Sequence, residues 1–268
     1  MANTVYPNRV IEAKAKDILT TQINARSMMT IDTSLTQNAG MVKTINTYTY
    51  TGAAEEVAAG SGNSTRGSIA YVGKDYTVKM VQQAFDYLDE DFMKDPVIVD
   101  YGIKGATSVM TNDMTSKFYA ALATKNGATE LVKGITFAKG KALSYDVIVD
   151  AISELNLEDE SKIFIVIPNA WKASLRKDAD YKSAQMGEVI YNGQVGTICG
   201  IPVIATKALT NKAYVMTNEA VTLFLKKDVE VEQERDADKR KNSVYLRSCY
   251  GCALRDATKA CRITEATA

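Results

Sequence analysis

Two stretches have the residue types and spacing for chemistry: Cys249-Tyr250-Gly251-Cys252, and Gly134-Ile135-Thr136-Phe137-Ala138-Lys139-Gly140-Lys141-Ala142. The first has the spacing of a zinc or redox pair. A four-ligand zinc site would have to recruit the other two cysteines, Cys199 and Cys261, because the chain contains no histidine. If residues 244–255 form a strand, a separation of three puts the two thiols on opposite faces. They then serve as small buried side chains. The second stretch approaches a phosphate loop, but it has five residues between its glycines where that loop has four. Ala142 also replaces the hydroxyl that would hold magnesium, and the apolar centre suits a strand. Asp86, Asp89, Glu90, Asp91 and Asp95 are dense in carboxylates but lack the spacing and central glycine of a calcium loop. They read as a solvated or subunit-facing surface.

The absence of histidine removes the usual general acid–base near neutral pH and the commonest zinc and iron ligand. It also leaves every serine and cysteine without an imidazole base. The expectation is therefore no catalytic residue, no cofactor and no metal. One further charged stretch runs Glu230, Glu232, Glu234, Arg235, Asp236, Asp238, Lys239, Arg240 and Lys241. It reads as an exposed hairpin end, where surface ion pairs contribute little. The alternative is a loop that matches charge with a neighbouring subunit and fixes register.

The elements that must position these groups follow from periodicity. Residues 8–25 carry an imperfect apolar stripe, Val10, Ile11, Ala13, Ala15, Ile18 and Leu19, with Pro7 suited to a first helical turn. Residues 44–51 and 68–81 are rich in Thr, Tyr, Ile and Val and predict two β arms. Between them Gly60-Ser61-Gly62-Asn63-Ser64-Thr65-Arg66-Gly67 has loop composition. The first arm shows no apolar face, and an isolated ribbon without one is marginal in water. A neighbouring subunit that supplies the missing surface makes sense of it.

After an acidic, aromatic stretch over 82–95, Pro96 precedes a long helix to about Lys125, with Ile103, Ala106, Met110, Met114, Phe118 and Ala121 at steps of three and four. Asn126-Gly127 ends it. Residues 129–221 alternate helix and strand. Ser144 can cap a helix bearing Val147, Ile148, Ala151, Ile152 and Leu155. Ile163-Phe164-Ile165-Val166-Ile167 is a continuous apolar run, the pattern of a strand covered on both faces. Asn169 can cap a further helix with Trp171 and Leu175 four apart, and residues 178–187 read as a polar loop. Asn192-Gly193 is the turn of a hairpin over 189–195, and strands follow at 201–205 and 213–216. Two long strands, 224–234 and 243–254, close the chain, so a spine domain is interrupted near 128 and re-entered near 222.

The composition excludes little else. Length allows one large domain or two modest ones, and 46% hydrophobic with 24% charged residues is ordinary for a soluble protein. The charges balance at 32 against 32, so no net field draws nucleic acid or acidic lipid. No apolar run is long enough to span a bilayer, and Met1-Ala2-Asn3-Thr4-Val5-Tyr6 shows no secretory signal, which points to a cytosolic chain without a membrane partner.

The order of these parts resembles the major capsid proteins of tailed phages, whose shared architecture is the Hong Kong 97-type fold, an α+β fold. Local wording resembles them too: Gly187-Glu188-Val189, then Gly196-Thr197-Ile198-Cys199-Gly200-Ile201-Pro202-Val203-Ile204, and Tyr250-Gly251-Cys252-Ala253-Leu254-Arg255-Asp256 followed by Lys259-Ala260. The resemblance implies an N-terminal arm over 1–40, an extended hairpin loop over 41–82, a peripheral domain with spine helix over 83–128, an inserted α/β axial domain over 129–221, and peripheral return strands over 222–268. It implies a non-enzymatic shell protein forming pentamers and hexamers that enclose phage double-stranded DNA without sequence-specific binding, in a virion capsid built in the bacterial host cytoplasm, with scaffolding, portal or other head proteins as partners and the scaffold either separate or already removed.

Under that reading Tyr48, Tyr50, Asn63, Arg66 and Tyr71 of the extended loop contact a neighbouring subunit. Asp178, Asp180, Tyr181 and Lys182 form the axis loop, and Glu234, Arg235, Asp236, Lys239 and Arg240 form the peripheral charged turn. Some relatives join subunits through a lysine on the extended loop. Residues 52–67 hold no lysine, with Lys43 and Lys74 only at the arms' bases, so crosslinking is not expected. Two rival readings are an encapsulin-type nanocompartment around a protein cargo, and a histidine-free α/β enzyme using residues 129–221.

Overall fold

The computed structural model of the chain describes residues 9–15, 24–160, 162–179 and 196–266. Residues 9–15 form α1, and Asn24–Ser27 forms α2. The rest of the expected helix over 8–25 lies outside the described residues, as do the hairpin at 189–195 and most of the loop at 178–187.

The long helix forms as its stripe requires. It spans Ile98–Leu122 (α4), and Ile103, Ala106, Met110, Met114, Phe118 and Ala121 are all buried. It follows a short helix, Asp89–Lys94 (α3). Thr107, Thr111 and Thr115 each donate a hydroxyl hydrogen bond to the carbonyl four residues back, which satisfies polar side chains on the buried side. Gly102 is required by packing, because a Cβ there would collide with the Phe85 ring.

This helix lies against a four-stranded sheet made of Thr30–Asp32 (β1), Val221–Asp236 (β12), Lys241–Leu254 (β13) and Lys79–Leu88 (β4), in the order β1-β12-β13-β4. Tyr250 on β13 clamps the two layers together. Its hydroxyl donates to Asp113 Oδ2 at 2.6 Å, and Lys117 Nζ lies 4.6 Å from its ring centroid while pairing with Asp113. Burial, then the bond to Asp113, drives the Tyr250 phenol upward.

A second sheet has six strands in the order β7-β14-β11-β8-β10-β9. These are Lys133–Phe137 (β7), Ala260–Glu265 (β14), Lys212–Thr217 (β11), Ile163–Pro168 (β8), Ile201–Thr206 (β10) and Thr197–Ile198 (β9). Strand β8 is covered on both faces, as its unbroken apolar run requires. Ile163, Ile165 and Ile167 join a core with Tyr145–Leu155 (α5) and with Leu175 of Lys172–Lys177 (α6), while Val166 joins the core of α4. Among the described residues no helix is long and apolar enough to cross a membrane.

Three expectations change. The final strand β14 pairs with β7 and β11, so the chain does not end in the four-stranded sheet as 222–268 implied. A third run, after two strands matched to the spine, was needed to complete the other sheet, and no local pattern marks which sheet a strand joins. Ser144 makes no side-chain cap; the Asp178 carboxylate accepts from the Tyr145 N–H at 2.7 Å instead. Asn169 likewise makes no side-chain cap and opens a 3-10 turn that leads into α6.

Candidate functional site

The arms at 44–51 and 68–81 pair, but the second divides at Val78. Val42–Thr51 (β2) pairs antiparallel with Ser68–Thr77 (β3), whereas the continuation past Val78 is β4 of the four-stranded sheet. The ribbon is therefore shorter than 41–82, and its root is bolted to the body. Tyr76 stacks on Phe224 at 4.9 Å between centroids, in a small core with Leu35, Val78 and Cys249. The Val78 N–H donates to the Met41 carbonyl at 2.9 Å. Gly251 admits the Thr77 carbonyl, which would stand 2.8 Å from any Cβ there.

Beyond the root the ribbon leaves its own molecule. Register sets Tyr48 opposite Tyr71 and Tyr50 opposite Ile69, so these four side chains share one face. They are 67%, 70%, 66% and 70% exposed respectively. This corrects the expectation of a ribbon with no apolar face. The first arm alternates Thr with Tyr, and the pairing sets Ile69 and Tyr71 of the second arm beside Tyr48 and Tyr50 on the same side. Ile69 was missed as a contact residue for that reason.

The tip is organised rather than loose. Glu55 accepts from the backbone N–H groups of Ser64 and Thr65 at 2.9 and 3.0 Å, and from both hydroxyls. These bonds, the Ser64 hydroxyl first, pull its carboxyl down to about 2. The Tyr50 ring fills the space over Gly52 and Gly67, where a Cβ would collide with it. Asn63 and Arg66 are exposed on this tip, and Arg66 has no charged partner among the described residues. Glu55 was missed because nothing local shows a carboxylate reaching nine residues along a loop.

The charged turn and the acidic stretch, separate in the sequence, meet. Arg235 pairs with Asp89 at 2.9 Å, Arg240 with Glu90 at 2.8 Å and Lys241 with Asp86 at 2.6 Å. Asn242 adds a 2.6 Å bond to Asp89. Within the turn Lys239 pairs with Asp236 at 3.7 Å, and Glu234 accepts from the Tyr245 hydroxyl at 3.3 Å. Asp89 is held below the ordinary carboxylate range by Asn242 and Arg235, Asp86 by Lys241, and Asp236 by the Lys239 N–H. Of the axis-loop residues, Asp178 caps α5, and Asp180, Tyr181 and Lys182 lie outside the described residues.

The stretches that first suggested chemistry resolve into structure. Cys249 packs at the ribbon root and Cys252 against the core of α4, on opposite sides of β13. Both are free thiols raised by burial, Cys252 to about 12. Residues 133–137 are strand β7, with Gly134 making room for the Arg262 guanidinium, and the Gly140 N–H donates to Glu265 at 2.7 Å. Among the described residues no group of three or more histidine, cysteine or acidic side chains could hold a metal.

No protein-family model matches the chain. The major capsid protein of Staphylococcus phage phiMR11 is 23% identical over 275 residues, covering 98% of this chain and 94% of that protein. Among solved structures, the capsid of cyanophage P-SCSP1u aligns with a TM-score of 0.70 at 12% identity, over 92% of this chain and 89% of that one. The capsid of a native GTA particle aligns with a TM-score of 0.68 at 12% identity, over 100% of this chain and 94% of that one. The likeness runs over nearly the whole length of the molecule, and the chain has the Hong Kong 97-type α+β fold of phage capsid proteins.

Proposed function

We propose that the chain is the major head-shell subunit of a tailed phage, a structural protein that assembles with its own copies into pentamers and hexamers around double-stranded DNA. The observation that carries this reading is the ribbon: an apolar, aromatic face held in water at two-thirds exposure or more on a braced tip and an anchored root. A face of that kind is completed by another surface. The near full-length likeness to a phage major capsid protein supports the same reading over a cargo compartment or an enzyme. Balanced charge suits a wall that contains nucleic acid without gripping it. Portal and scaffold are the partners such a shell requires, and the domain limits given above describe its working parts, with residues 260–265 added to the axial unit.

The test is electron microscopy of particles from the expressed protein, with scaffold supplied if needed, together with nucleic-acid quantification. Closed icosahedral shells able to hold DNA are expected. Particles filled only with protein would select the nanocompartment, and a permanent monomer under all conditions would overturn both.

A further inference from the structure

Where the chain passes from the six-stranded sheet into the four-stranded one, two buried oxygens have nothing to bond. Strand β11 ends at Thr217, and a tight turn through Asn218 and Glu219 leads into β12, closed by the Ala220 N–H on the Thr217 carbonyl. Thr217 is 5% exposed and its hydroxyl has no hydrogen-bond partner. The side-chain carbonyl of Asn218 is also buried and unpaired. Folded proteins rarely leave such atoms unsatisfied. Both residues line a cleft of about 440 Å³ that the connection from α5 to β8 shares.

The other groups around this cleft favour positive charge. Asn156 and Leu157 bring the C-terminal end of α5 to its wall, the negative end of the helix dipole. Glu158 follows on the same connection, and Glu219 stands on the turn. With Asp159 these carboxylates outnumber the ammonium groups of the cleft, Lys162 and Lys259. Lys259 reaches Glu219 only at 3.9 Å, and the Glu219 side chain is 57% exposed, so this pair is loosely held.

We propose that the cleft is a calcium site, with the Glu158 and Glu219 carboxylates, the Asn218 side-chain carbonyl and the Thr217 hydroxyl as protein ligands and water completing the shell. Calcium accepts about six to eight oxygens of mixed kind in flexible geometry, whereas magnesium demands a tight octahedron and gives up its waters reluctantly. Two of the four protein donors are neutral, so the set is not one of the three-acid groups that are absent among the described residues. The ion ties the α5–β8 connection to the turn between the sheets. All its ligands come from one chain, so the site is independent of the shell reading.

Calcium chloride titrated into the purified full chain tests the site, read by thermal midpoint and by equilibrium dialysis with radioactive calcium. One ion per chain is expected, with a dissociation constant of roughly 0.1–1 mM and a saturable rise in midpoint. Magnesium and sodium at matched ionic strength should give neither. Glu158→Gln with Glu219→Gln should weaken binding by about tenfold or more, since affinity follows the charge of the ligands. Thr217→Val removes an unpaired hydroxyl with little change of shape, so the calcium-free chain should melt at the same or a higher temperature while binding calcium more weakly. Lys259→Met removes the competing ammonium and should tighten binding, which loss of a merely structural ion pair would not do. No bound calcium at about 10 mM, equal binding of magnesium, or full binding by the double glutamine variant overturns the proposal. If the double variant does not fold, unchanged calcium affinity in both Thr217→Val and Lys259→Met overturns it, and the two opposite shifts support it.

Discussion

Glu55 shows how much one exposed side chain can organise. Its carboxylate holds Ser64 and Thr65 across the tip, and the bonds that pull its pKa to about 2 from an ordinary 4.5 favour the ionised form. A group depressed on closing contributes its stabilisation fully above the ordinary value and loses it as pH falls through about 2. The protection factors of the Ser64 and Thr65 backbone amides, taken against the intrinsic exchange rate at each pH, should therefore be highest at pH 6 and fall as pH is lowered from 4.5 toward 2. Glu55→Gln should show the low protection at every pH, and equal protection in both proteins would refute the clasp. Tyr250 supplies a second test at this scale. Tyr250→Phe keeps the ring under Lys117 but deletes the donor to Asp113, and should lower unfolding free energy by about 1–2 kcal/mol in urea titration. The spacing of Cys249 and Cys252 already placed those thiols on opposite faces; their two different cores could not be read from it.

At the scale of elements, strand β14 is fastened by charge as well as by pairing. Glu130, in the short strand Thr129–Glu130 (β6), accepts from Lys212 of β11 at 2.6 Å and contacts Arg262 of β14. Its side chain is only 11% exposed. Glu130→Ala would remove the counter-charge of the partly buried Arg262 and of Lys212, so a loss of about 1.5–3 kcal/mol is expected, the range for hydrogen bonds to a charged group. Glu130→Gln should recover part of it, and calorimetry of both variants measures the difference. The charged turn behaves differently because it is solvated. Asp86, Asp89 and Asp236 are all depressed, so the turn at 236–241 is held above their ordinary 3.8 and released as acid protonates them. Proteolysis at this turn should increase below that pH and stay constant between pH 6 and 8. The spine helix was legible because its stripe from Ile103 to Ala121 repeats for about five turns, and β8 because no polar residue interrupts it. The caps of α5 and of the helix after Asn169 were not, since Asp178 reaches the α5 terminus from thirty-three residues away.

At the scale of the whole molecule the ribbon should be dispensable for folding and necessary for assembly. Replacing residues 52–67 by a two-residue turn removes nothing buried, so the subunit should keep its unfolding midpoint while losing shell formation in sedimentation experiments. Loss of the folded monomer would contradict the assigned role. The sequence by itself determined the kinds of element, their order and the want of an imidazole-based active site, because periodicity, glycine and proline placement and composition act over a few residues at a time. Only the tertiary structure decided that Tyr48, Tyr50, Ile69 and Tyr71 share a face, that the acidic stretch neutralises the charged turn, and that the last strand joins the other sheet. Each of these depends on register or on contact between distant segments. Those are fixed by pairing and packing energies summed over the folded chain, which no local pattern encodes.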